Sequence, residues 1–248
     1  EMACGEYGQG KMSDPKIIVD YLNNFFANKD ILKSKKLNAI ITAGPTREHL
    51  DPVRFITNKS SGLQGYEIAK SLDKIGINTT IISGPVKLDV PNKIKKIDVV
   101  TAKEMLNAVK KNLPTDIFIG TAAVSDYTFD TFYNKKIKKD EKDEIKIILK
   151  KNADILEYVS NHNSMRPKLV IGFAAETSNL IKNGKNKLAK KHCDWIVAND
   201  ISKKNSGIDS TFNEVSIIDK NFNIEKIEYS KKSFIADKIA DRIVKTFI

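Results

Sequence analysis

Short, nearly unbroken apolar runs alternate along this chain with stretches whose apolar residues recur every three to four positions. The runs fall at 37–42, 78–83, 94–100, 116–121, 169–173 and 195–198. The helical spacing falls at 61–75, 102–112 and 179–191. Runs with no polar alternation predict strands covered on both faces, and such strands separated by amphipathic helices predict a parallel sheet. The fold class expected is therefore α/β: a Rossmann-like, doubly wound, mainly parallel sheet. Toward the end the rhythm changes. Residues 214–218 and 224–229 flank Asp219-Lys-Asn-Phe-Asn223, which reads as a hairpin turn, and 231–247 carries Phe234, Ile235, Ile239, Ile243 and Val244 at helical spacing. This hairpin and helix should cap one sheet edge.

Two segments stand outside the pattern. Residues 1–30 run from a Gly-rich loop through Ser13-Asp14-Pro15, a helix start, into a short helix, and 31–36 form a lysine-rich linker. They read as the tail of something preceding, ahead of a main domain at 37–248. Residues 129–151 are an insertion dense in Lys and acids, with a strand predicted at 144–149 and an exposed, mobile tip.

With 248 residues and 41% apolar positions the chain can bury a substantial core. The net charge of +11 comes mostly from lysines spread through every segment. A nucleic-acid surface would need that charge gathered on one face, so the spread favours a composition bias that also suits small anionic substrates. Cys4 and Cys193 have no C-x-x-C partner or His cluster, which argues against a disulfide framework or zinc site and fits a reducing cytoplasm. No apolar run approaches the ~20 residues of a membrane span, and no leader pattern opens the chain. The first residue is Glu1 rather than Met, as expected of a piece of a longer protein.

Ligands of open α/β sheets bind beyond the carboxyl ends of the strands. The loop after Thr42 is about seventeen residues long, where such connections commonly take roughly 2–6. At its end Ser60-Ser-Gly-Leu-Gln-Gly65 offers a helix N-terminus to an anion, or simply an ordinary capped helix whose glycines allow close packing. A dinucleotide fingerprint is disfavoured, because the first loop is too long and the second strand ends in Ser83-Gly-Pro without an acid. Asn58 could orient a carboxylate beside a phosphate, its amide supplying donor and acceptor without charge; it could equally form a local turn.

After the fourth strand, Gly120-Thr-Ala-Ala-Val-Ser-Asp-Tyr127 lets a base or phosphate approach the backbone, and Asp126 could hold a hydrated Mg2+ with ligand phosphates or merely cap the next segment. Lys135, Lys136, Lys138 and Lys139 could close over a polyphosphate or be a solvated charge run. Lys187 and Lys191 share a helix face, where like charges repel by roughly a few tenths of a kcal/mol until an anion binds.

Taken together, the segments Ile41-Thr-Ala-Gly-Pro-Thr-Arg-Glu, Asp51-Pro-Val-Arg-Phe-Ile-Thr-Asn-Lys-Ser-Ser-Gly, Ala122-Ala-Val-Ser-Asp-Tyr, Lys136-Ile-Lys-Lys, Lys151-Asn-Ala-Asp-Ile-Leu, Gly172-Phe-Ala-Ala-Glu-Thr and Ala198-Asn-Asp resemble, in order, the phosphopantothenate-cysteine ligase family of coenzyme A biosynthesis. The resemblance covers most of 37–247. Residues 3–12 resemble the substrate clamp of the flavin-dependent decarboxylase fused ahead of the ligase in most bacteria, so FMN would belong to a domain that precedes this chain. By the same resemblance Cys4 would complete that decarboxylase, and be idle without it.

The resemblance implies a two-step ligation. The carboxylate of 4'-phosphopantothenate attacks the α-phosphorus of CTP with Mg2+, giving an acyl-cytidylate and pyrophosphate; L-cysteine then displaces CMP to form the amide, which the native bifunctional chain would also decarboxylate. It assigns Asn58 to the activated acyl group and Lys136 to the conversion. It assigns Ala122, Ala123, Asp126, Lys136, Ala153, Asp154, Ile155, Leu156, Phe173, Lys187 and Lys191 to the nucleotide, Gly44, Ser60, Ser61 and Gly62 to the phosphate-bearing substrate, and Asp126 to the metal. It also implies a homodimer in which the Lys136 loop acts in trans, with neither nucleic acid nor membrane as partner. Leu63, Ala153 and Ser125 depart from the residues common there, namely Lys, Pro and Ala. An ATP-dependent ligase of the eukaryotic type is the alternative within the family, and a basic nucleic-acid-binding protein the alternative outside it.

Overall fold

The structure is a computed structural model that describes residues 12–20, 22–23, 35–138, 145–202 and 210–248. Its centre is an eight-stranded sheet. Six parallel strands, β1 (Asn38–Ala43), β4 (Asn78–Ser83), β5 (Lys95–Asp98), β6 (Ile117–Gly120), β9 (Leu169–Glu176) and β10 (Trp195–Asp200), are extended by antiparallel β11 (Phe212–Asp219) and β12 (Ile224–Lys231). The order across the sheet is β12-β11-β10-β9-β6-β1-β4-β5. The chain winds outward from β1 through β4 to β5, returns, and winds the other way through β6. The order therefore reverses between β1 and β6, and loops leaving those neighbouring strands diverge to open a crevice.

The apolar runs are central strands because both faces are covered. On one face α1 (Leu63–Lys74) and α5 (Lys232–Phe247) pack Tyr66, Ile68, Leu72, Ile235, Ile239 and Ile243 against Ile41, Ile119 and Ile171. On the other, α2 (Ala102–Asn112), α3 (Ile155–Ser160) and α4 (Leu180–Lys191) bury Met105, Val109, Ile155, Val159 and Leu188 against Ile40, Phe118 and Ile196. Each fully buried side chain of this size stabilises the fold by about 1.5–3 kcal/mol. Helix α2 starts at a reciprocal cap between Thr101 and Glu104. A second carboxylate, the buried Glu48, accepts the Ala102 N–H at 2.9 Å.

The long first loop contains a hairpin, β2 (Arg47–His49) with β3 (Phe55–Thr57). One expectation is corrected. The strand expected at 144–149 instead occupies β8 (Leu149–Lys151), paired antiparallel with β7 (Tyr127–Phe129), while 145–148 lack regular structure. Ile145, Ile147 and Ile148 make this stretch apolar and β-branched, but these side chains are exposed and have no strand opposite them among the described residues. Sequence pattern also missed α3, a six-residue helix too short to show periodicity.

Candidate active site

The loops leaving β1 and β6 are bound together. Ala123 donates its N–H to the Gly44 carbonyl at 2.9 Å, Thr121 its hydroxyl to the Thr42 carbonyl at 2.7 Å, and Ser125 its N–H to the Thr46 hydroxyl at 3.0 Å. Asn58 completes the seam, its Nδ2 donating to the Val124 carbonyl at 2.9 Å. Asn58 is thus fixed by a tertiary contact rather than a local turn, and it lines the wider cavity beside the seam.

Two adjoining cavities flank this seam. The narrower, about 150 Å³, is lined by Ala153, Asp154, Ile155 and Leu156 with Phe118 and Gly120. The wider, about 450 Å³, is lined by Asn58, Ser60, Ser61, Gly62 and the residues beyond them. Both share Ala122, Val124, Asp126, Phe173 and Lys187, and Ala123 lines the wider one. Phe173 is only partly buried and forms part of both walls, so it is more than a core residue.

The start of α1 forms the floor of the wider cavity. Gly62 caps the helix at φ 75°, a left-handed conformation that favours glycine. At Gly65 a Cβ would lie 2.4 Å from Thr121 Oγ1 and 2.7 Å from Ala43 Cβ, so its absence lets the helix approach β1. The serines expected to cap act differently. Ser60 Oγ accepts the Gly62 N–H at 3.2 Å and Ser61 Oγ the Leu63 N–H at 3.5 Å, and the helix begins at Leu63.

At the narrow cavity Asp154 caps α3, accepting the Glu157 N–H at 2.8 Å. Lys187 extends from α4 to donate to the Phe173 carbonyl at 2.7 Å. Burial pushes its ammonium below the ordinary lysine value, outweighing the pull of Asp154 and Glu176. Lys191, one turn on, lines neither cavity; its Nζ lies 2.8 Å from Asp154 Oδ2 and 2.7 Å from Glu157 Oε2. The expected repulsion with Lys187 is therefore offset by two carboxylates already in the fold. Asp126 is exposed on the shared wall, and the described residues include no cluster of three or more His, Cys, Asp or Glu able to cage a metal.

Gly44 lies behind the wider cavity, its Cα 3.3 Å from where a Cβ on Gly62 would sit. Lys136 is exposed, but the backbone beside it is anchored: the Ile137 N–H reaches Asp51 Oδ2 at 3.2 Å, and the Ile137 carbonyl accepts from both terminal nitrogens of Arg54 at 3.2 Å. Asp51 is fully buried. Burial pushes its carboxyl up, yet the N–H groups of Val53, Ile137 and Arg54 and the Arg54 guanidinium outweigh this and hold it below its ordinary value. Cys4, Lys139 and most of 1–30 lie outside the described residues. The sequence reading missed Gln64, Asn213 and Lys232 on the wider cavity's wall, since a lysine opening a helix reads as a solvated charge.

Residues 33–247 match the family described as DNA/pantothenate metabolism flavoprotein C-terminal domain. The chain belongs to this family. It is 47% identical over 201 residues to the coenzyme A biosynthesis bifunctional protein CoaBC of Haemophilus influenzae, covering 81% of this chain and 49% of that protein. It is 42% identical over 245 residues to CoaBC of Escherichia coli K12, covering 98% of this chain and 59% of that protein. The chain thus spans about half the length of these relatives. Among solved structures, the crystal structure of the C-terminal domain of CoaBC superposes with a TM-score of 0.69 at 34% identity, covering 85% of this chain and 95% of that one. The family's large, mostly parallel sheet is the fold expected from the apolar runs.

Proposed function

We propose that this chain is a phosphopantothenate-cysteine ligase that uses CTP through an acyl-cytidylate. The observation that carries the reading is the wall common to the two cavities, where Asp126, Phe173 and Lys187 face both and Asn58 stands beside them. A reaction that joins a carboxylate to a nucleotide α-phosphorus needs such adjacency, because holding both partners in line supplies much of the rate enhancement.

In the first step a carboxylate oxygen of 4'-phosphopantothenate bonds to the α-phosphorus of CTP, and the bond to the bridging oxygen breaks to release pyrophosphate. In the second the cysteine amine bonds to the acyl carbon, the acyl–oxygen bond breaks, CMP leaves with that bond's electron pair, and the amine loses a proton. Asn58, held by the Val124 carbonyl and lining the wider cavity, would hold the activated acyl group. Lys187, whose half-buried ammonium is costly to keep charged, gains most from an anion on the shared wall. Lys136 would reach the site from its exposed segment. Mg2+ bound with the nucleotide would neutralise phosphate charge, and a single exposed carboxylate, Asp126, fits an ion that keeps most of its waters and takes one or two protein carboxylates.

A homodimer is part of this reading. Val53, Phe55, Tyr127, Phe132, Ile148 and Leu149, on or beside the two small hairpins, all expose large apolar side chains. A second copy covering them would bring its own insertion near the site. Sedimentation should give a dimer at micromolar concentration, and a monomer would remove the trans role of Lys136.

The decisive assay supplies 4'-phosphopantothenate, L-cysteine and Mg2+ with CTP or ATP separately, and follows pyrophosphate together with product mass. Amide and pyrophosphate with CTP alone are expected. Preference for ATP would move the protein to the other nucleotide class, and no pyrophosphate with either would overturn the reading.

A further inference from the structure

We infer that Asn152 and the buried Thr46 are positioning residues for the ligation: they hold Ser125 from opposite sides and so fix the nucleotide wall relative to the acyl site. This rests on the ligase reading above and names what keeps its two cavities in register. Asn152 follows β8, whose last residue, Lys151, pairs with Tyr127 of β7. Its backbone N–H continues that ladder to the Asp126 carbonyl at 2.8 Å, a bond any residue but proline would make. Its side chain adds a bond that depends on the amide: Nδ2 donates to the Ser125 carbonyl at 2.9 Å, 27 residues away in the chain. An asparagine in a turn bonds to its own backbone neighbours, so a bond of this span is a tertiary clasp.

Ser125 is gripped from the other side as well. Its N–H donates to the Thr46 hydroxyl at 3.0 Å, and the Thr46 carbonyl accepts the Thr57 hydroxyl at 2.7 Å, one residue before Asn58. Ser125 and Thr46 are both buried, Thr46 completely. A chain of hydrogen bonds therefore runs from Asn152 through Ser125 and Thr46 to Thr57. At one end, residues 153–156 of the narrow cavity follow Asn152 directly; at the other stands Asn58 of the wider cavity. Asp126, next to Ser125, lies between them on the shared wall. The clasp also closes the base of the insertion that carries Lys136, which leaves from β7 and returns through β8.

Binding of each substrate draws on contacts within its own cavity, but in-line transfer depends on how the two cavities sit relative to each other. The backbone bonds of Ala123 and Asn152 keep the loops attached when either side chain is lost. What the Asn152 and Thr46 side chains add is a single placement of Ser125, and with it Asp126, between those loops. Thr46 lines neither cavity and touches neither substrate. A change there acts on the rate through placement.

The test compares wild type with Asn152→Ala, Thr46→Val, Thr46→Ser and the double variant Asn152→Ala/Thr46→Val. It measures kcat per nucleotide site counted by calorimetry. It also measures the separate dissociation constants of 4'-phosphopantothenate and of the nucleotide, CTP or ATP, that supports pyrophosphate release. Asn152→Ala and Thr46→Val should each lower kcat about tenfold, since a displacement on the order of 1 Å costs up to about a hundredfold, while both dissociation constants stay within about twofold. Thr46→Ser, which keeps the hydroxyl, should retain most of the rate. The double variant should lose less than the product of the two single losses, because both bonds hold one residue. An unchanged kcat in either single variant, or a loss of binding that parallels the loss of rate, overturns the inference while leaving the ligase reading intact. Wild-type protein that releases no pyrophosphate with either nucleotide overturns both. Should Thr46→Val fail to fold, Asn152→Ala decides by the same two measurements.

Discussion

The loop after β6 and the segment around Lys136 carry candidate chemistry in opposite ways. The first is seamed into the fold on both sides: Ala123, Ser125 and Val124 bond to the loop from β1, and the Ser125 and Asp126 carbonyls accept from the Asn152 side chain at 2.9 Å and its backbone at 2.8 Å. The second is exposed and held near Lys136 through one buried carboxylate, Asp51, and its arginine. A group that must be present throughout a reaction gains from the first arrangement, because preorganised dipoles need no reorganisation in the transition state. A group that must admit substrate and then close gains from the second. The difference separates side chains set by the fold from side chains delivered by a tether.

Breaking the seam should have the largest effect. In Asn58→Asp the donor to the Val124 carbonyl is replaced by a carboxylate oxygen, so the side chain is repelled from its anchor and brings charge to the acyl site. Amide formation should fall at least ~100-fold while thermal stability changes little, since the residue is not buried. Product mass and a melting curve check both halves; a normal rate would remove Asn58 from the mechanism.

The tether should respond more weakly, and in a manner that separates its two parts. Lys136→Gln should slow turnover about tenfold with no change in Tm, because the side chain is exposed. Asp51→Asn weakens the grip on Arg54 and Ile137 and leaves the ammonium in place. It should lower Tm by several degrees and reduce kcat a few-fold. Melting temperature and kcat measured together distinguish them: if Lys136→Gln also melts early, Lys136 is structural and the contrast between the two loops collapses.

Much of this site was legible in the chain because the loops after Thr42 and Thr121 are long or built of small residues, and both leave strands whose apolar runs are unmistakable. The rest was hidden for physical reasons. The β2–β3 hairpin has three-residue strands, too short for an alternation to register. Residues 145–148 are rich in β-branched isoleucine as a strand should be, but pairing depends on a partner, which sequence does not name. Lys232 looks like any lysine opening a helix; only the packing of α5 beside α1 puts it inside. Lys191 illustrates the converse, since its likeness to a phosphate ligand is real in sequence and its partners in the fold are acids.

That last point supports the finest prediction. Lys191 holds Asp154 and Glu157 in the first turn of α3, next to the narrow cavity it does not line. Burial pushes the Asp154 carboxyl up, but Lys191 and the Glu157 N–H outweigh it and hold it below its ordinary 3.8; Lys191 alone is the main pull holding Glu157 below 4.5. Carboxyls depressed by folding contribute stability that is present above their ordinary values and is lost as pH falls through the depressed ones. In Lys191→Met they return toward the ordinary range. The variant should therefore melt about 2–3 °C lower than wild type at neutral pH, a small effect because Glu157 is exposed, and the gap should close below about pH 4. A gap that persists in acid would assign the loss to packing of the lysine stem instead. The nucleotide KM of the same protein completes the comparison: a rise of several-fold or more would mean that nucleotide binding draws Lys191 away from its acids toward phosphate, and an unchanged KM would make it a brace for the α3 cap.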